Sequence, residues 1–195
     1  MSTKTSSQSN GQKGEGLLEK FFHDQLKDIY YAEQQLIKAL NEMKMASTTE
    51  ELEDAFEDHH RQTERQIKRL EKVFHLLNQK AETKKCEAME GLIKECKAFI
   101  SQTKEGSMTR DAALIIAAQK IEHYEIATYG GLVQLALTLG KRRAAALLDK
   151  TLEEEEETDQ HLTYIAESFI NFEADEEEQK IENKTGSVSM STSSF

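Results

Sequence analysis

In Gln119-Lys-Ile-Glu-His-Tyr-Glu-Ile-Ala127, two glutamates, Glu122 and Glu125, lie three residues apart and share one face of any helix formed there. That face, followed both ways, carries Ile115, Gln119, Tyr129, Leu132 or Val133, and Ala136, an apolar seam at helical spacing. An ionised carboxylate on such a seam loses its hydration, so it needs a compensating charge or hydrogen bonds. The seam predicts a helix from about Met108 to Leu139, stopped by Gly140.

Three further helices repeat the anomaly. From Gly16 to Ala46 the stripe is Leu26, Ile29, Glu33, Leu36 and Leu40, with Glu33 its polar member. A second helix starts at Thr48 or Thr49, with Thr49 a plausible N-cap. Its stripe runs from Leu52 and Phe56 through His59 and Thr63 to Leu70, Phe74 and Leu77. The last runs from about Lys141 to Phe172 with Leu148, Leu152, Glu155, Thr158 or Asp159, Leu162 and Phe169 on its seam. Five consecutive acids, Glu153 to Glu157, cannot all face solvent on a helix, and spacing turns Glu155 inward. A shorter helix, about Cys86 to Gln102, shows Met89, Ile93, Cys96 and Ile100 on one face.

The expected fold is therefore all-α: two long helical hairpins, turning near Ser47 and at Gly140, joined by a crossover that contains the short helix. Absent proline and nine glycines in 195 residues agree with long uninterrupted helices. The helical domain is expected over residues 17–174. Residues 1–16 and 175–195, polar or acidic and Ser/Thr-rich, are expected to be disordered tails.

Residues equidistant from the turn of an antiparallel hairpin lie at one level. Glu125 and Glu155 are each fifteen residues from Gly140, and Glu122 and Asp159 lie one turn further out. Glu33 stands fourteen residues before Ser47, with His59 twelve and Gln62 fifteen after it. The offsets agree within about one helical turn, roughly 5 Å. Glu33, His59, Gln62, Glu122, Glu125, Glu155 and Asp159 thus form one candidate layer. Carboxylates from several helices with one histidine suit a pair of iron or manganese ions better than zinc. His123 adjoins the layer and either orients a ligand or faces solvent; His60 is expected to face solvent. Tyr124 and Tyr129 are read as packing residues.

Net charge −11 opposes nucleic-acid binding, which needs a basic surface, and attachment to anionic membranes. The longest apolar run, Ala112 to Ala118, is too short for a bilayer. With no apolar signal-peptide core at the N-terminus, a cytoplasmic location is expected. Cys86 and Cys96, ten residues apart on one helix and so roughly 15 Å apart, are expected to be free thiols.

The chain resembles the YciF/YciE-type ferritin-like stress proteins of bacteria. The resemblance covers about Leu17 to Ala174. It rests on Leu26-Lys-Asp-Ile-Tyr-Tyr-Ala-Glu-Gln-Gln-Leu36, Cys86-Glu-Ala-Met-Glu-Gly-Leu-Ile93, Arg110-Asp-Ala-Ala-Leu114, the 119–127 segment and Thr151-Leu-Glu-Glu-Glu-Glu-Glu-Thr-Asp159. It implies a ferritin-like four-helix bundle, a homodimer, and a di-metal carboxylate centre with Glu33, His59, Glu122, Glu125, Glu155 and Asp159 as ligands. With the donor chemistry above, the first functional expectation is two iron or manganese ions per chain that handle a small oxidant, peroxide or oxygen; the resemblance itself leaves the activity undefined. Relatives carry glutamate where this chain has Gln62, a weaker ligand; if position 62 bridges the ions, that implies one ion held tightly and the other weakly, or none. The alternatives are iron sequestration without turnover, and a non-catalytic structural or interaction bundle whose polar layer is vestigial or partly occupied.

Overall fold

The computed structural model describes residues 16–177, and these are helical apart from short connections. The expected tails, 1–16 and 175–195, lie almost wholly outside the described residues. The helices are α1 (Leu17–Ala46), α2 (Glu50–Leu76), α3 (Glu87–Gln102), α4 (Met108–Thr138) and α5 (Arg142–Ile165). The pairs α1–α2 and α4–α5 form two hairpins, α2 packs on α5, α1 on α4, and α3 lies against α1 and α4. This is the expected all-helical bundle with one crossover.

Turn chemistry sets the hairpins. Gly140 takes φ +72°. Its N–H bonds the Leu137 carbonyl at 3.0 Å and the Lys141 N–H bonds Ala136 at 2.8 Å. That paired closure ends α4 in a left-handed residue that glycine adopts without strain. Asn78 (φ 53°) does the same for α2, its N–H reaching His75 and the Gln79 N–H reaching Phe74.

The first hairpin turn is closed differently. Thr49 is the N-cap of α2, but its side chain caps nothing. Its hydroxyl instead donates to Asp111 Oδ2 at 2.8 Å, and the Thr48 and Thr49 N–H groups donate to Asp111 at 2.7 and 2.9 Å. Asp111 is buried in the first turn of α4, so one fully bonded carboxylate fastens the first hairpin to the second. Each of those donors, left unpaired in the interior, would cost about 1–3 kcal/mol.

The other end departs from expectation in length. After α5 the chain runs through a π-helical segment, Ala166–Ile170, marked by the Asn171 N–H bonding Ala166. It continues as helix over 171–177, three residues into the stretch expected to be tail. Glu177 Oε2 accepts from the Met108 N–H at 3.0 Å, satisfying an orphan donor at the start of α4. Among the described residues, no helix is long and apolar enough to cross a membrane. Both cysteines are free and buried, Cys86 serving as the N-cap of α3 through its sulfur.

Candidate metal centre

Four helices bring their misplaced polar residues together. Glu33 (α1), His59 (α2), Glu122 and Glu125 (α4) and Glu155 (α5) are all at most 4% exposed. His59, Glu122, Glu125 and Glu155 each offer a ligand atom within 4.8 Å of all the others. His59 Nδ1 is 3.4 Å from Glu122 Oε1, and its Nε2 is 3.7 Å from Glu155 Oε2. These separations exceed good hydrogen-bond lengths. They match donors around a cation, since ligand bonds of about 2.1 Å place opposite donors roughly 4 Å apart.

The partnering of these atoms tests the fit of a metal. Both nitrogens of His59, both oxygens of Glu122, Glu125 and Glu155, and Glu33 Oε2 are buried without a hydrogen-bond partner among the described residues. Buried polar atoms are bonded in the great majority of cases, so a concentration of exceptions at one level needs a cause. Burial pushes the Glu33, Glu122 and Glu125 carboxyls well above the ordinary glutamate range. The neighbouring charges add to this: Glu155 acts on Glu33 and Glu122, and Glu33 acts on Glu125. Arg69 opposes it at Glu33. This Arg69 guanidinium makes a two-pronged pair with Glu154 and reaches the Thr151 hydroxyl at 2.7 Å. Within the acid run, then, Glu155 faces the seam and Glu154 the arginine.

Glu33, Gln62 and Asp159 are not among the four mutually close donors; Glu33 is buried at the same level, its charge acting on Glu125, and the other two lie further out. Gln62 spends its amide on the Glu154 carbonyl (3.2 Å) and Thr158 Oγ1 (3.4 Å). Asp159, with a side chain 20% exposed, accepts from Gln119 Nε2 at 3.3 Å and lies 3.5 Å from Nε2 of the exposed His123. Its charge is felt at Glu122, so Asp159 and His123 stand where the layer meets solvent. His60 is half-buried, 3.3 Å from the Asn41 amide.

Sequence reasoning missed two connections. Tyr129, read as packing, is fully buried and donates its hydroxyl to Glu33 Oε1. Tyr124 donates to Asp28 Oδ2 and contacts Cys86 Sγ, both at 3.1 Å, tying α4 to α1 and the start of α3. For Tyr129 a signal existed, since it follows Glu125 by one turn on the same face. Tyr124 sits off that face and gave none.

Bundle and site together define a class: helical bundles with a buried carboxylate–histidine cluster at mid-height. The particular family follows from comparison: residues 17–175 match DUF892, described as "domain of unknown function", and the chain belongs to that family. It is 47% identical over 168 residues to Protein YciF of Escherichia coli (strain K12), covering 86% of this chain and 96% of that protein. The crystal structure of the E. coli stress protein YciF matches with a TM-score of 0.75 at 48% identity, over 79% of this chain and 97% of that one. YcfI of Rhodopseudomonas palustris matches with a TM-score of 0.74 at 37% identity, over 78% and 96%.

Proposed function

We propose that the layer holds two divalent ions, iron or manganese, and that the protein uses them to dispose of peroxide or oxygen under stress. The observation that carries this is the set of partnerless buried donors on Glu33, His59, Glu122, Glu125 and Glu155. Charge supports a pair: four ionised glutamates balance two divalent cations, and a neutral histidine adds a nitrogen donor. An oxygen-rich set with one nitrogen suits iron or manganese. When bound, such ions supply redox chemistry that the side chains lack.

The chain's own residues set the conditions for that chemistry. Ile29 and Leu36, both buried on the Glu33 stripe, keep water from the carboxylates and lower the local dielectric. Asp159 gives the layer a partly exposed acid, beside the exposed His123. The stress-protein name of the E. coli relative fits a protective role. The homodimer and the cytoplasmic location belong to the same reading.

Peroxide consumption by iron- or manganese-loaded protein tests it. The loaded wild type is expected to exceed the same concentration of free metal. Glu155→Ala, which removes a donor from the centre of the cluster, is expected to fall at least about 100-fold, on the scale of losing a catalytic group. Equal rates for protein and free metal would end the catalytic reading. A second reading, a structural bundle with a partly occupied site, draws on Gln62, whose amide is committed to Glu154 and Thr158.

A further inference from the structure

We propose that Tyr129 is a positioning residue that holds Glu33 as a one-oxygen donor to the metal centre. The inference rests on the metal reading above and says how one ligand is presented.

The two residues come from different helices, Tyr129 from α4 and Glu33 from α1. Both are 0% exposed. The Tyr129 hydroxyl donates to Glu33 Oε1, while Glu33 Oε2 has no hydrogen-bond partner among the described residues. The two oxygens of one carboxylate are thus set to different tasks. Oε1 is tethered, and the tether fixes the rotation of the carboxylate plane. Oε1 keeps one lone pair, but its direction is set by the tether, whereas Oε2 is unencumbered, so Oε2 is the oxygen best placed to meet an ion. In Glu122, Glu125 and Glu155 both oxygens are without such a tether, so these three are the carboxylates free to span two ions.

The phenol is suited to a permanent tether. Its ring is fully buried, so the hydroxyl is held against Glu33 away from solvent. A partner that orients a ligand typically changes metal affinity by about 10–100-fold when removed.

Cobalt(II) serves as the probe, because its visible absorption reports ligand number and arrangement. Wild type, Tyr129→Phe and Glu33→Asp are titrated with Co(II), and the unfolding midpoint of each is measured without metal. Tyr129→Phe keeps the ring and removes only the hydroxyl. It is expected to weaken Co(II) binding by about 10–100-fold and to alter the absorption envelope, while the metal-free midpoint moves by no more than a few degrees. Glu33→Asp leaves the tyrosine intact, but its side chain is one methylene too short to hold both the hydroxyl and an ion. It is expected to change the spectrum and the affinity in the same direction. The double variant is expected to lose no more than Glu33→Asp alone, since the tyrosine acts only through Glu33.

Unchanged affinity and spectrum in either single variant overturn the proposal, as do additive losses in the double variant. A lowered metal-free midpoint with a wild-type Co(II) spectrum in Tyr129→Phe assigns the tyrosine to structure alone and also overturns it. If the wild type itself takes up no Co(II), the metal reading fails, which separates that failure from this one.

Discussion

Supplied with Mn(II) at about a thousand times its dissociation constant, the metal-free protein is expected to gain about 10 °C in unfolding midpoint. A ligand that binds only the folded state adds about 4 kcal/mol at that excess. For a chain of this length each kcal/mol moves the midpoint by about 2–4 °C. The folded state alone assembles the site, because its donors come from α1, α2, α4 and α5, far apart in sequence. A chelator is expected to return the midpoint to its starting value, and Glu155→Ala to show no gain. Calorimetry with and without Mn(II) checks this. A midpoint indifferent to both metal and chelator would favour the structural bundle.

The second large effect is a reversal of pH dependence. Without metal, Glu33, Glu122 and Glu125 bind their protons more tightly folded than unfolded, because burial and the neighbouring carboxylates disfavour their charge. Their contribution to stability is fully present below the ordinary glutamate range. Above it the unfolded chain has released protons that the folded chain retains, so stability falls as pH rises toward the folded-state values. The slope is about 1.4 kcal/mol per pH unit for each proton retained. Metal reverses the sign. Ions bind the deprotonated carboxylates, so protons compete with them, and the loaded protein is expected to gain stability as pH rises through the same window. Glu122→Gln removes one of the charges. Without metal it is expected to have the flatter profile and, at neutral pH, the higher stability, while losing the stabilisation by metal. Urea unfolding from pH 4.5 to 8, with and without Mn(II), measures these slopes. Parallel profiles for the loaded and metal-free protein would contradict the account.

The helices were legible because nothing in the chain works against them. The stripe through Leu26, Ile29, Glu33, Leu36 and Leu40 is buried as spaced, and Gly140 stops α4 by the left-handed closure expected of it. The level of the polar layer was legible from counting outward from the two turns. That count places residues along a helix axis to within a turn, but it does not say what a side chain does on arrival. Gln62 and Asp159 are at the right height, yet Gln62 is bonded to the α5 backbone and Asp159 lies at the solvent edge. Asp111 and Tyr129 were missed for a related reason. Asp111 looked like an ordinary first-turn acid, and its partners Thr48 and Thr49 are some sixty residues away. The Tyr129 ring belongs on an apolar seam, and only the position of Glu33 on another helix gives its hydroxyl a task. The π-helical segment at Ala166–Ile170 has no sequence cue that we can identify.

The layer of Glu33, His59, Glu122, Glu125 and Glu155 as a metal centre is the claim on which the rest depends. Anaerobic titration of the metal-free protein with Fe(II) or Mn(II), followed by metal analysis of the desalted sample, tests it most directly. The account predicts saturable uptake approaching two ions per chain, with the second held more weakly because only four of the donors lie within mutual reach, and no retained metal in Glu155→Ala. Wild-type protein that emerges metal-free, or a Glu155→Ala variant that retains as much metal as the wild type, would contradict it.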